Sequence, residues 1–254
     1  NIKEYYNISK TKRNKDSYQN ALDRTYNAFL EAVSRRIDSR KVYAMLSGGL
    51  DSRAIAAALE QMGIDIQTVT IAKSGTPDAE IGIKLAKLLG IRHRLVEYQL
   101  KERIYYPPFM GYVAHYMPVP DGFSPFQRIW SGDSGSGILG HVPITDKMAG
   151  LAAAGRLEEA ALTLFPSLAR PSKALRGPYR EQLRQQALQS ICKAMGDCPD
   201  DERRAFTFML GRSGRHLHDY FENIDLWRIQ PVLPFLDSDF VETVYSLPQD
   251  YFMR

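Results

Sequence analysis

Cysteine is scarce in this chain of 254 residues, which has only Cys192 and Cys198. Two cysteines with no second pair exclude a disulfide framework, and both are expected as free thiols in a reducing compartment. They also leave a zinc site two ligands short. The five histidines are His93, His115, His141, His216 and His218, and only His216 and His218 are close in sequence. That pair could share a metal only in an extended segment. No run approaches the roughly eighteen apolar residues of a membrane helix, and the start, Asn1-Ile-Lys-Glu-Tyr-Tyr6, has no signal-peptide core. A soluble, cytoplasmic protein is therefore expected, with no membrane partner. Charge of one sign is also lacking: 33 Lys and Arg against 29 Asp and Glu leave +4. That excess helps attract an anionic ligand but falls well short of a nucleic-acid footprint. The cluster Lys10, Lys12, Arg13 and Lys15 reads as a solvated arm. There is no internal repeat and no low-complexity tract. What remains is ordinary globular composition, 44% hydrophobic and 24% charged, in a chain long enough for a core without covalent staples.

Glycine, by contrast, is concentrated where it changes what the chain can bind. Residues 46–52 read Leu-Ser-Gly-Gly-Leu-Asp-Ser, between an apolar strand, Lys41 to Leu46, and a helix-forming stretch, Arg53 to Met62. Two glycines allow a tight turn whose N–H groups converge on an anion, and the following helix adds the positive end of its dipole. Ser47 and Ser52 add hydroxyls, and Asp51 adds a carboxylate able to hold a hard cation. The spacing is not a Walker A loop, since no lysine follows.

Apolar spacing predicts a first helix over 17–38, behind a candidate Asp16 cap. Strand 42–46, the Gly-Gly loop and helix 53–62, closed by Gly63, complete one βα unit. The pattern repeats with strand 66–72 and helix 77–89, where Thr76 is the candidate cap, Pro77 the first helical residue and Gly90 the stop. A third strand is expected at 93–97. Residues 105–126, rich in Pro, Tyr and Phe, suit a substrate-facing loop or a packed aromatic connection. A fourth strand at 128–130 runs into a second glycine-rich loop, Ser131-Gly-Asp-Ser-Gly-Ser-Gly137. Strands alternating with helices imply an α/β fold, a parallel sheet flanked by helices. Both glycine-rich loops should then meet at the strands' carboxyl edge, where such sheets bind ligands. Helical spacing over 151–164 and 178–195 predicts a helical C-terminal subdomain, ending in a Pro-bounded turn and an Asp237-capped helix.

Four pieces in order resemble the synthetase domain of class B asparagine synthetases and β-lactam synthetases, a branch of the PP-loop ATP pyrophosphatases. They are Leu46 to Ser52; Ile71-Ala-Lys-Ser-Gly-Thr-Pro-Asp78; Ser131-Gly-Asp133; and Pro234-Phe-Leu-Asp237 followed by Val241-Glu242 and Leu247-Pro248. The resemblance implies a PP-loop fold, and the chain divides at 1–40 (arm and first helix packing on the sheet), 41–147 (ATP-binding α/β core) and 148–254 (helical subdomain closing with Pro-Phe-Leu-Asp). Those divisions follow the element pattern and the change in composition from 148, and the resemblance implies that Leu46 and Ile71 contact adenine, and Ser131 and Gly132 the nucleoside. Ser47, Gly48, Gly49, Asp51 and Ser52 would hold the pyrophosphate of ATP, with Mg²⁺ on Asp51, and Asp133 would help deprotonate the attacking amine. The implied chemistry is activation of a small-molecule carboxylate as an acyl-adenylate, then capture by ammonia or an amine. A glutaminase domain upstream would be the partner that supplies ammonia.

Several positions depart from the family pattern. Ser136 and Gly137 stand where the family has a second metal-binding Asp and a Glu. Arg53 follows the loop where small residues are usual, either as a phosphate contact or as a solvent-facing side chain. Gln230-Pro-Val232 stands where the family has Glu-x-Arg before Pro-Phe-Leu-Asp, which removes an ion pair. The family's lysine-bearing segment falls past Arg254, and neither cysteine sits where the family's glutaminase cysteine does. Two other readings stay open: a catalytically degenerate nucleotide-binding homologue in regulation or assembly, and a PP-loop enzyme acting on RNA.

Overall fold

The computed structural model describes residues 7–97, 127–139, 144–166, 177–216 and 229–251. The expected 105–126 loop, His115, His141, His218 and the His216 side chain lie outside them. The chain forms two compact units, each assembled from separate segments: a sheet unit of residues 23–135 and 216–241, and a helical unit of residues 1–22, 136–215 and 242–254.

The sheet unit holds five parallel strands in the order β3-β2-β1-β4-β5. They are β1 Lys41–Met45, β2 Asp65–Ile71, β3 Arg92–Val96, β4 Gln127–Trp130 and β5 Ile229–Val232. The expected α/β class, a parallel sheet flanked by helices, is the one observed. β1 and β4 are neighbours in register, Ala44 beside Trp130, although β1 continues in sequence to β2 on its other side. The order thus reverses between β1 and β4, the place where parallel sheets leave a crevice at their carboxyl edge. β5 was not foreseen, because Gln230-Pro-Val232 read as a turn. Among the described residues β5 is an edge strand paired only with β4, so it tolerates the missing N–H of Pro231.

Helix α1, Tyr18–Ser34, starts one residue after the predicted 17, and Ser17 stands where Asp16 was expected as the cap. Ser17 Oγ accepts from Asn20 N at 3.3 Å, while Asp16 N donates to Asn14 Oδ1 at 2.6 Å. Its far end stops short of the predicted 38 because Arg36 N and Ile37 N bond three residues back, which tightens the last turn. Helix α2, Leu50–Gln61, starts three residues earlier than predicted, with Gly49 as its N-cap. Helix α3, Pro77–Leu89, has its predicted bounds and a left-handed Gly90. Thr76 caps it without a side-chain bond, since its hydroxyl donates to Lys73 O at 2.7 Å.

Strand alternation divides the core between the two faces of the sheet. On one face Val69, Val96, Ile129, Ile229 and Leu233 cluster with Tyr43, Met45 and Ile71. On the other Leu46 packs with Ala56 of α2 and Ala86 of α3. α3 can approach β2 closely because position 82 is glycine: a Cβ there would stand 2.7 Å from Thr70 Oγ1. Burying such side chains contributes about 1.5–3 kcal/mol each. After β5, Phe235 stacks on Phe29 of α1 with centroids 5.1 Å apart. Residues 229–241, expected to close the helical part, therefore belong with the sheet.

Among the described residues the remaining helices are α4 Gly135–Ile138, α5 Asp146–Ala153, α6 Leu157–Leu164, α7 Gly177–Gly196, α8 Arg204–His216 and α9 Ser238–Ser246. The single helix read over 151–164 is two, because Gly155 takes φ +75 between α5 and α6. The core of the helical unit includes Met148, Met195, Phe206 and Tyr245, with Phe206 stacked on Tyr245 at 5.6 Å. Both cysteines are free thiols. The N-terminal arm is not simply solvated, since Arg13 pairs with Glu202 and with Asp200, Nε to Oδ2 at 2.7 Å. No helix among the described residues is long and apolar enough to cross a membrane.

Candidate functional site

Three segments of the sheet unit meet at its carboxyl edge: the loop after β1, the first turn of α3 after β2, and the loop after β4. Pairing extends past β1 and β4, with Leu46 N donating to Val69 O at 2.9 Å and Ser131 N to Val232 O at 3.0 Å. Both loops are thus anchored to the sheet before they turn.

The first loop is closed by its own side chains. Ser47 N donates to Ser52 Oγ at 3.0 Å, and Gly49 N donates to Ser47 Oγ at 3.2 Å. Gly48 N donates to Asp78 Oδ1 of α3 at 2.9 Å. The two hydroxyls stand 3.1 Å apart, and Arg53 Nε donates to the Gly49 carbonyl at 3.2 Å. Three consecutive N–H groups are therefore held by oxygens, and only the one on Gly48 faces a carboxylate. Leu50 is 74% exposed at the start of α2, beside these groups.

The second loop lies directly on the first turn of α2. A Cβ on Gly132 would stand 2.6 Å from Asp51 C, and nearer still to Ser52 N. One on Gly135 would stand 2.5 Å from Asp51 Cγ. Only glycine permits that approach at either position. Ser131 Oγ donates to Asp133 Oδ2 at 2.8 Å and accepts from Asp133 N at 3.2 Å, and Gly135 N closes a turn onto Gly132 O at 3.1 Å. Ser134 takes φ +69 there, in the left-handed region that non-glycine residues adopt at a cost.

Ser47, Gly48, Gly49, Asp51, Ser52, Arg53, Ser131, Gly132 and Asp133 are thus gathered at one edge. Asp51 and Ser52, expected in the loop, lie in the first turn of α2. Leu46 and Ile71 differ from the rest, because their side chains point to opposite faces of the sheet. What those two share is main chain at the carboxyl edge, where the Leu46 carbonyl accepts the Thr70 hydroxyl. Ser136 and Gly137 lie in α4. Among the described residues, no three of His, Cys, Asp or Glu group to hold a metal.

Two contributors were missed by sequence reading. Asp78 was one, and the signal for it is Pro77 at the first helical position, which fixes where the Asp78 side chain starts. The partner of Asp237 was the other. Asp237 pairs with Arg36 at 2.7 Å and Arg35 at 3.4 Å, both just past the end of α1. Its carboxylate also accepts from Asp239 N and Phe240 N at 3.1 and 3.3 Å, capping α9 as expected. Burial pushes the Asp237 carboxyl up, but the Arg36 hydrogen bond, the Phe240 N–H and the two arginine charges outweigh it, leaving the pKa below the ordinary value.

A strand, glycine pair, two serines and helix, joined by a second glycine-rich loop, gather N–H groups and hydroxyls of the kind that can accept an anion. Comparison with known sequences shows what part of the chain is similar to. Residues 24–119 match the asparagine synthase family. The resemblance to that family's synthetase domain is thereby shown over the first two motifs, whereas Ser131 to Asp133 and Pro234 to Asp237 lie beyond the matched stretch. A curated relative is asparagine synthetase [glutamine-hydrolyzing] 2 of Arabidopsis thaliana, 34% identical over 89 residues. The match covers 31% of this chain and 15% of that relative's length. Among solved structures, the NH3-dependent NAD synthetase from Campylobacter jejuni subsp. jejuni NCTC 11168, in complex with the nitrate ion, matches 76% of this chain and 96% of its own, at 14% identity and a TM-score of 0.33.

Proposed function

We propose that this chain is the ATP-using synthetase part of an asparagine-synthetase-type ligase. The observation that carries this reading is the convergence of the two glycine-rich loops at the β1/β4 crevice, the first of them inside the asparagine synthase match. The loop N–H groups and the Ser47 and Ser52 hydroxyls exchange their internal partners for the β and γ phosphates of ATP. Ser131 and Gly132 line the nucleoside. Main chain at Leu46 and Ile71 borders the adenine, and Arg53 stands close enough to the loop to add positive charge beside the phosphates.

Mg²⁺ would enter with the nucleotide, and Asp51 is the carboxylate that would hold it. A substrate carboxylate oxygen attacks the α-phosphorus, the bond to the β-phosphate oxygen breaks, and pyrophosphate leaves against the loop amides and the α2 dipole. Ammonia or an amine then attacks the acyl carbon and expels AMP, with the Asp133 carboxylate accepting the proton. A glutaminase domain in the same protein is the source of ammonia, and the cytoplasm is the compartment.

ATP–pyrophosphate exchange in the full-length protein tests this directly. Exchange that depends on one carboxylic acid supports it, and no exchange across a broad panel of acids overturns it. A second reading, a homologue that binds nucleotide without turning it over, is favoured by Ser136 in place of an acid and by the internally satisfied loop. Calorimetric ATP binding without pyrophosphate release would select that alternative.

A further inference from the structure

We propose that Asp78 sets which ionic form of a polyphosphate the first loop accepts, by standing as a resident anion on the Gly48 N–H. The inference rests on the nucleotide-binding reading above and deepens it. Of the three consecutive N–H groups in the loop, those of Ser47 and Gly49 are held by neutral hydroxyls, which rotate away or accept a further bond without electrostatic penalty. The N–H of Gly48 is held by a carboxylate at 2.9 Å. A phosphate oxygen and Asp78 Oδ1 cannot share that donor, and bringing them together sets two negative charges side by side.

The carboxylate is held in place by the chain's path. Pro77 opens α3, Asp78 follows it in the first turn, and the absent side chain of Gly48 lets that turn approach: a Cβ there would stand 3.1 Å from both Pro77 O and Asp78 Oδ1. Asp78 belongs to the sheet unit, as does the loop, so the contact is built into one compact body. It is also exposed, so it can turn into solvent when a better-compensated anion arrives. A polyphosphate already complexed with a divalent cation carries that compensation, whereas a free one does not. Asp78 thereby selects the cation complex over the bare polyphosphate.

The test is titration calorimetry of inorganic pyrophosphate and of ATP, each with Mg²⁺ and with EDTA, on the wild-type protein and on Asp78→Asn. Asparagine keeps an acceptor for the Gly48 N–H but removes the charge, and Asp78→Ser serves as a second neutral replacement should the first fold poorly. For the wild type, replacing Mg²⁺ by EDTA should weaken ATP binding by about tenfold or more, whereas the neutral variants should lose less than about threefold. In EDTA the neutral variants should bind pyrophosphate more tightly than wild type. Equal cation dependence in wild type and variants overturns the role of Asp78 and leaves nucleotide binding standing. Absence of ATP binding in every protein overturns both. Amide exchange across 46–50 reads the contact without any ligand, and it should quicken in Asp78→Ser. Unchanged exchange means that the carboxylate does not hold the loop.

Discussion

Replacing Gly132 by alanine probes the junction between the two loops most directly. The new methyl would stand 2.6 Å from Asp51 C and 2.9 Å from Asp51 Cβ, where carbon atoms ordinarily rest about 3.5–4.0 Å apart. The overlap of about 1 Å falls on the first turn of α2, and the two backbones involved are fixed by adjacent paired strands, Ala44 beside Trp130. Neither side can yield by rotating a side chain, so the loop must lift. Overpacking of this kind costs about 1–3 kcal/mol, and the rigidity of the junction puts the expectation at the upper end. For a chain of this size that is a fall of about 6–12 °C in melting temperature. ATP affinity should fall with it, since lifting the loop displaces Ser131 and Asp133. Gly150→Ala is the matched control: it lies within α5 with nothing within 4 Å of the added methyl. There alanine should stabilise by about 0.5–1 kcal/mol through helix propensity. Scanning calorimetry of both variants decides the matter. A Gly132→Ala protein that melts at or above the wild-type temperature would refute the close seating of the second loop on α2.

Ser52→Ala removes the acceptor for Ser47 N and the partner of the Ser47 hydroxyl, so the loop loses its internal brace, worth about 1–1.5 kcal/mol. ATP affinity measured by equilibrium dialysis should drop by about tenfold, and unchanged affinity would show that the brace is irrelevant to binding. Asp237→Ala removes both arginine partners and the α9 cap, and should cost about 2–3 kcal/mol in denaturant unfolding, given that Arg35 and Arg36 are partly solvated. Because the Asp237 carboxyl is held below the ordinary aspartate value of about 3.9, its contribution is complete above that pH and disappears as pH falls through the folded pKa. The variant should therefore lose less stability on acidification than wild type, and parallel acid profiles would contradict the assignment. Burial pushes His93 below the ordinary imidazole value of about 6.5, with Nδ1 on Thr68 Oγ1 at 2.9 Å and Nε2 buried without a partner. Neutral His93 then supports the fold above about pH 6.5, and that support is lost as pH falls toward its folded pKa. Imidazole NMR should show it titrating below the ordinary value of about 6.5, and a normal or raised value would contradict its burial.

Local chemistry determined much of this protein. Helix α3 was legible to the residue because Pro77 and Gly90 act within one turn of themselves, and the alternation of β1, β2 and β3 with helices left a parallel sheet as the consistent arrangement. The composition of both glycine-rich loops was legible for the same reason, since their donors and turns are properties of adjacent residues. Strand β5 was not, because a proline in four residues reads as a turn until a neighbouring strand shows that its missing N–H faces outward. The helix ends were blurred where side chains compete for the same amides, as at Asp16 and Ser17. Only the tertiary structure decided which residues meet across the chain: the Asp78 carboxylate on Gly48 N–H, Arg35 and Arg36 just past α1 on Asp237, and the glycines of the second loop against Asp51 and Ser52. Those contacts join positions from 30 to about 200 residues apart, and no local propensity encodes them. The sequence by itself therefore determined a glycine-rich loop, with its serines and helix start, on a parallel sheet. Packing decided that the loop's own neighbours occupy its donors, and that one of them carries a charge.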